Sequence, residues 1–475
     1  LPQYPQKILE TAYSECWFKM DNQFNVPKAS IMIQMFSNDM DFGTNLRSNL
    51  IASFWFNFVN ESLNELVYLA KEASAFASLT QAFDSFSLSL RGFSHTLESL
   101  LSALFKQTLA LDIEARDHLF PTVHKQLYKS IINRKKDQPS TQAYHFLNEL
   151  LTTNGLQSVS IDKQLELLET ITFEDVVKFS KEIFKTIRMR WLIVGNYTSK
   201  EAETMVNSIE ELIGEKGKGS RPLKKQYVPE NRIVEVPKNS NYYYHQELLI
   251  VEKSETAELN SAIAMYYQYE SEDLQKTLLL WMLSNCLKEP FFTQLRTNEQ
   301  LGYVVQSQVQ DVRRILGYLF VVQSNVKPTF YVRQRVFAFI DSMRERMKKI
   351  TDEEFNTCRN SVIASLKQKN FSLYEESSRY GYEITRNSML FDRREKSLKE
   401  ILVIKKEQLI ALFEDIFYAS KRLVEVHLTS QQHKEENKIL EEKALKNEKG
   451  LTRVVTPEWF KEQVCLYPDY CSIFV

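Results

Sequence analysis

Lys288–Ser307 reads KEPFFTQLRTNEQLGYVVQS, and the fold turns on how this stretch is parsed. Phe291, Phe292 and Leu295 recur at the spacing of one helical face, so the part before Gly302 predicts a packed helix. Gly302 stands where a helix end favours a residue free to take a positive φ. Tyr303, Val304 and Val305 then open a β-prone run. Arg296 and Tyr303 flank the join, where a guanidinium and a phenol could both face the carbonyl oxygens of a bound chain.

Outward from this join, the second half of the chain reads as strand at Ala262–Tyr269, helix at Leu274–Gln300, and strands at Tyr303–Gln310 and Tyr318–Gln323. Helices follow from about Pro328 to Phe417, and alternating Leu423–Leu428 closes the series. The first half has the same order: strand at Ala29–Phe36, helix over Leu46–Ala75, strand at Phe86–Phe93, helices from Thr96 to Phe184, strand at Arg190–Val194 and a helix from Ser199. Glu72–Phe76 (EASAF) lies opposite Glu299–Tyr303 (EQLGY), each at a helix-to-strand join. Between the halves, Gly214–Asn231 is rich in glycine, proline and lysine and reads as an exposed connector. We therefore expect two homologous α+β domains, each a mostly antiparallel sheet packed with helices: residues 1–215, a linker at 216–231, and residues 232–475. The charged tail Gln431–Gly450 reads as a solvated surface helix.

The 43% hydrophobic content of this 475-residue chain is enough for a large core. Its net charge of −1 carries no nucleic-acid footprint. The longest apolar runs, such as Leu278–Leu283, are shorter than the roughly 18 residues a membrane helix requires, so neither nucleic acid nor membrane is expected as a partner. Without an initiator Met or a signal pattern, LPQYPQKILE suggests a processed product or a fragment. Five scattered cysteines without CxxC spacing read as free thiols of a reducing, cytoplasmic setting.

Zinc hydrolysis needs paired histidines on one helix face and a carboxylate base. Neither HExxH nor HxxEH occurs, and in His95-Thr96-Leu97-Glu98-Ser99 a serine takes the second histidine position. We expect no metal in this chain. GxGxxG, GxxxxGK[ST] and GxSxG are also missing, which leaves nucleotide and serine-hydrolase chemistry without support.

Several segments together resemble the C-terminal half of the insulin-degrading-enzyme-like (pitrilysin) family of inverted-zinc-motif metallopeptidases. They include Cys16-Trp17-Phe18-Lys19 with Val26-Pro27-Lys28-Ala29, and Leu88-Ser89-Leu90-Arg91-Gly92-Phe93. The most specific is Leu295-Arg296-Thr297-Asn298-Glu299-Gln300-Leu301-Gly302-Tyr303. The resemblance implies homologous α+β domains, with the zinc and its base in a separate N-terminal half. It also implies that Arg296 and Tyr303 hold substrate backbone near the scissile bond, with Phe292 facing the same region. The matching stretch for a polyanion-binding lysine run, Leu366–Phe371, keeps only Lys367 and Lys369. The expected partners are thus peptide substrates and a zinc-bearing N-terminal half, in a heterodimer. The competing expectation is a scaffold subunit that keeps the fold without peptidase service; a third is peptide binding without hydrolysis.

Overall fold

The computed structural model describes residues 2–37, 45–82, 85–153, 159–216, 221–222, 232–248 and 258–467. The first half runs β1 (Gln6–Glu10), β2 (Ser14–Met20), β3 (Lys28–Ser37), α1 (Leu46–Glu72), β4 (Phe76–Gln81), β5 (Ser85–Phe93), α2 (Ser94–Leu109), α3 (Phe120–Asn133), α4 (Pro139–Leu151), α5 (Ile161–Leu168), α6 (Phe173–Glu182), β6 (Thr186–Gly195), α7 (Ser199–Lys216) and β7 (Arg221–Pro222). The second runs β8 (Val234–Glu235), β9 (Ser240–Glu247), β10 (Ser261–Ser271), α8 (Leu274–Phe292), β11 (Val304–Val312), β12 (Ile315–Ser324), α9 (Thr329–Lys348), α10 (Asp352–Lys367), α11 (Leu373–Thr385), α12 (Arg393–Glu400), α13 (Lys406–Glu414), β13 (Arg422–Thr429), α14 (Lys434–Asn447), β14 (Leu451–Val454), α15 (Pro457–Gln463) and β15 (Cys465–Leu466).

Five strands of each sheet share one topology, and the outermost differs, β1 being antiparallel to β2 and β14 parallel to β9. The first sheet is ordered β1-β2-β6-β3-β5-β4 and the second β14-β9-β13-β10-β12-β11. In each, the early strand lies parallel to the late one, β2 to β6 and β9 to β13. The other pairings along the path from that late strand to the edge are antiparallel. The chain is therefore a duplicated α+β fold.

Each sheet buries one face against its own helices. Ile31 and Ile33 of β3 pack on Phe54, Phe58, Leu97 and Leu101, and Met265 and Tyr267 of β10 on Leu283, Phe291, Phe339 and Phe417. The other faces are covered by exchange. Ala143, Leu147, Leu150 and Leu151 of α4, from the first half, lie on Tyr244, Ala264, Tyr266, Val424 and Val426 of the second sheet. Leu373, Tyr380 and Ile384 of α11, from the second half, lie on Leu192 and Val194 of the first. Strands covered on both faces are largely apolar, and β6 and β13 are buried along almost their whole length, with buried charges such as Arg190 and Glu425 paired to Glu15 and Arg333. Buried Lys19 of β2 is paired with Glu376 of α11 at 3.2 Å, which matches a charge across that contact.

The exchanged α4 carries Glu149 into apolar packing near α15. Burial pushes its carboxyl up to about 7, with Lys461 opposing and Glu458 adding to the shift. The folded carboxyl keeps its proton up to about 7, whereas the unfolded one releases it near 4.5. Stability should therefore fall as pH rises through that interval. Glu149→Gln is expected to flatten this slope, which for the parent is on the order of 3 kcal/mol. Urea unfolding at pH 5 and pH 7.5 checks this, and an unchanged slope would contradict it.

Several expectations need correction. Cys286 and Cys358 are not free thiols. They sit on the packed helices α8 and α10 with Cα atoms 6.2 Å apart, a span a disulfide bridges, and they are bonded. Cys16 and Cys465 are free, and Cys471 lies outside the described residues. The tail helix is not merely solvated: α14 buries Asn437 and Glu441 against α9 and β9. Asn437 accepts from the Phe330 N–H at 3.0 Å, and Glu441 accepts from the Tyr243 hydroxyl at 2.8 Å. Of the connector, 217–220 and 223–231 lie outside the described residues, while Arg221–Pro222 pair with β6. The two joins align one residue differently from the sequence reading. The left-handed residues are Ser74 and Gln300, each followed by a buried residue, Ala75 and Leu301. Phe76 therefore falls opposite Gly302 rather than Tyr303.

Candidate functional site: the α8–β11 join

Leu274–Phe292 forms a helix because Asp273 caps it, accepting from the Lys276 N–H at 2.9 Å, and because Leu278, Leu280, Leu283, Leu287 and Phe291 are buried. Pro290 lacks a backbone N–H, so the ladder is weakened near the helix end. The chain responds by widening into a π-turn over Thr293–Asn298. The Glu299 N–H donates to Gln294 O at 2.9 Å and the Leu301 N–H to Leu295 O at 3.0 Å. Gln300, not Gly302, takes the positive φ, at 52°. Gly302 is required for another reason. A Cβ there would lie 1.8 Å from Gln323 O on β12.

Two clamps hold the join. Glu299 accepts both arms of Arg335 on α9, at 2.7 and 2.8 Å, and a hydrogen bond from Gln294 at 3.1 Å. Arg335 holds the Glu299 carboxyl below the usual carboxylate range against the opposing effect of burial. On the other side, Gln323 Oε1 accepts from the Ser140 N–H at the start of α4 at 3.0 Å. The exchanged helix thus steadies the strand against which Gly302 is pressed. Tyr144 of α4 also accepts from Gln308 and donates to Gln310 on β11, both at 2.6 Å.

On this frame the three expected site residues come together. Arg296 follows Phe292 by one turn, and its guanidinium lies 4.9 Å from the Phe292 ring centroid and 5.9 Å from that of Tyr303. Its Nη1 donates to Tyr303 O at 3.1 Å. Phe292 is 40% exposed and Tyr303 82% exposed. Among the described residues, Arg296 has no carboxylate partner and the Tyr303 hydroxyl has no hydrogen-bond partner. An always-charged fork and an unengaged phenol therefore face solvent side by side, able to donate to carbonyl oxygens. No group of three or more His, Cys, Asp or Glu side chains among the described residues could hold a metal ion. His95 and Glu98 are both exposed on the first turns of α2. What these side chains offer chemically is donation to acceptor oxygens, from a fixed positive charge and from a hydroxyl. The sequence names Phe292, Arg296 and Tyr303, which lie together here, but not the Glu299–Arg335 clamp, because Arg335 is brought to the join only by the packing of α9.

The matches to known proteins agree with this architecture. Residues 1–166 match the family described as "Middle or third domain of peptidase_M16". Residues 282–381 match "PQQ synthase PqqF-like, C-terminal lobe domain 4". "Insulin-degrading enzyme-like 1, peroxisomal" of Arabidopsis thaliana is 27% identical over 91% of this chain and 44% of its own length. "Insulin-degrading enzyme" of Homo sapiens is 26% identical over 90% of this chain and 41% of its own. The chain thus spans less than half the length of these curated relatives. Among solved structures, pitrilysin superposes with a TM-score of 0.82 at 19% identity, covering 98% of this chain and 47% of that one. A peptidase M16 inactive domain from Pseudomonas fluorescens gives 0.65 at 13% identity, over 89% and 98%. At these identities the two structures show the fold alone.

Proposed function

The chain belongs to the insulin-degrading-enzyme-like peptidase M16 family, and we propose that it is the noncatalytic, substrate-positioning C-terminal half of a zinc metalloendopeptidase. The observation that carries this reading is the Arg296–Tyr303 pair. The Tyr303 hydroxyl and the Arg296 nitrogens other than Nη1 have no partner among the described residues, and both side chains sit on a doubly clamped join, in a chain whose described residues hold no metal-binding group. In this role Arg296 holds a carbonyl oxygen of the peptide without changing its own charge. Tyr303 donates its hydroxyl to the oxygen on which negative charge grows. Phe292 stacks under Arg296 and limits its motion. A zinc-bearing N-terminal half would supply the metal and the activated water.

Mixing this chain with a zinc-bearing half of the family is expected to restore peptide cleavage. In that mixture Tyr303→Phe should lower kcat by about tenfold or more, with KM changed less. An inert mixture, or a Tyr303→Phe variant equal to the parent, rules the reading out. The second reading, a scaffold subunit, draws on the fold it shares with a structure titled as an inactive domain, which this chain covers almost end to end. The native mass of the endogenous complex separates the two. A pair with one zinc-bearing partner supports the first, and a many-subunit assembly supports the second.

A further inference from the structure

The first half carries its own arginine over two exposed rings, built from different parts. Arg91 on β5 stands directly opposite Phe76, the first residue of β4. Its guanidinium lies 4.8 Å from the Phe76 ring centroid and 4.4 Å from that of Tyr374, which the exchanged helix α11 brings over from the second half. Phe76 is 42% exposed and Tyr374 52% exposed. Among the described residues Arg91 has no carboxylate within ion-pair distance and no hydrogen-bond partner. A guanidinium resting on ring faces keeps its in-plane N–H groups outward, in the fork geometry that fits a carboxylate. The rings also restrict its rotamers before any ligand arrives, which lowers the entropic loss on binding.

Beside it runs an open sheet edge. β4 (FASLTQ) pairs with β5 and with no other strand among the described residues. It lacks the lysine, proline or bulge with which edge strands are usually blunted. Its alternate residues Phe76, Ser78 and Thr80 are exposed. Gly92 fixes β5 under the first join, since a Cβ there would meet Ala75 Cα at 3.0 Å and Ser74 O at 3.1 Å. The edge and the arginine are therefore held as one unit.

We propose that β4 and Arg91 form a second peptide station: an extended peptide adds to the β4 edge and places a carboxylate on Arg91, between Phe76 and Tyr374. The edge supplies backbone hydrogen bonds, and Arg91 selects for an acid. The proposal extends peptide handling to a second place and is read by binding to this chain alone, so it can fail while the Arg296–Tyr303 reading stands.

Fluorescence anisotropy with a labelled, otherwise uncharged β-prone peptide tests it. The peptide with a free C-terminal carboxylate, or with an internal Asp, should bind at least about tenfold more tightly than its amide or Asn counterpart. The arm that discriminates tells whether the carboxylate is terminal or a side chain. Arg91→Gln should abolish the preference while leaving the melting temperature unchanged, and Arg296→Ala should keep it. N-methylation at alternate peptide positions should weaken binding by a similar factor. Equal affinity for acid and neutral peptides, or a preference that survives Arg91→Gln, overturns the proposal. So does full competition by inorganic phosphate with no effect of N-methylation, which would mark a plain anion site.

Discussion

Gly302→Ala is expected to weaken both the fold and the peptide contact. The added methyl would sit 1.8 Å from the carbonyl oxygen of Gln323, a backbone atom of the strand that β11 pairs with, which cannot swing aside as a side chain could. Either β11 peels from β12 at its first residues or the join shifts outward. Overpacking of this kind typically costs about 1–3 kcal/mol. It should appear as a lower denaturant midpoint with an unchanged slope. Because Tyr303 is the next residue, the same shift should remove at least about tenfold of kcat/KM from the reconstituted peptidase, as displaced positioning groups do. Gly214→Ala serves as the control. Nothing lies within 4 Å of a Cβ there and the site is inside α7, so activity should match the parent and stability should rise by up to about 1 kcal/mol from helix propensity, the opposite direction to Gly302→Ala. A Gly302→Ala protein that unfolds at the parent's midpoint would show that the join tolerates what its geometry forbids.

The largest loss of stability is expected from Arg333→Ala. Arg333 is fully buried on α9. It donates to Glu425 of β13 at 2.7 Å and, through both terminal nitrogens, to Glu448 at 2.6 and 2.7 Å. Burial alone would raise the Glu425 carboxyl, yet Arg333 and His427 outweigh it and hold the group down at about 2. Truncating Arg333 leaves a buried carboxylate with only His427 beside it, and breaking such a pair costs about 3–5 kcal/mol. The loss should depend on pH in a defined direction. Glu425 is depressed in the fold, so its contribution is present above the ordinary carboxylate value of 4.5 and disappears as pH falls toward 2. Parent and variant should converge across that window in urea titrations. Arg333→Lys keeps the charge but not the fork and should fall between them. A loss below 1 kcal/mol at pH 7 would show that the network contributes little.

The duplicated fold was legible in the sequence because its elements are long and punctuated. Asn45 capping the α1 run, Gly195 ending β6 and the alternation in Leu423–Leu428 each mark a boundary by local chemistry. The three residues of the α8–β11 join were legible only because they fall in one continuous stretch with a specific family likeness. What stayed hidden depends on contacts far apart in the chain. Gly302 was given a turn role when its true constraint is Gln323 on the neighbouring strand. Cys286 and Cys358 meet only once α8 packs on α10. Arg91 lay within a quoted segment, yet the second ring over it, Tyr374, arrives on a helix from the other half. That α4 and α11 trade places could not be read locally either, since an apolar helix face does not say which sheet it will cover.

The trade has a mechanical consequence. Two copies of one unit that each lend a helix to the other have the arrangement of a swapped dimer written into a single chain. Opening a hinge between them would have to strip α4 from one sheet and α11 from the other at the same time, uncovering two apolar faces. The halves should therefore move as one rigid jaw. Arg91 and Arg296, one on each half, thus keep a fixed separation.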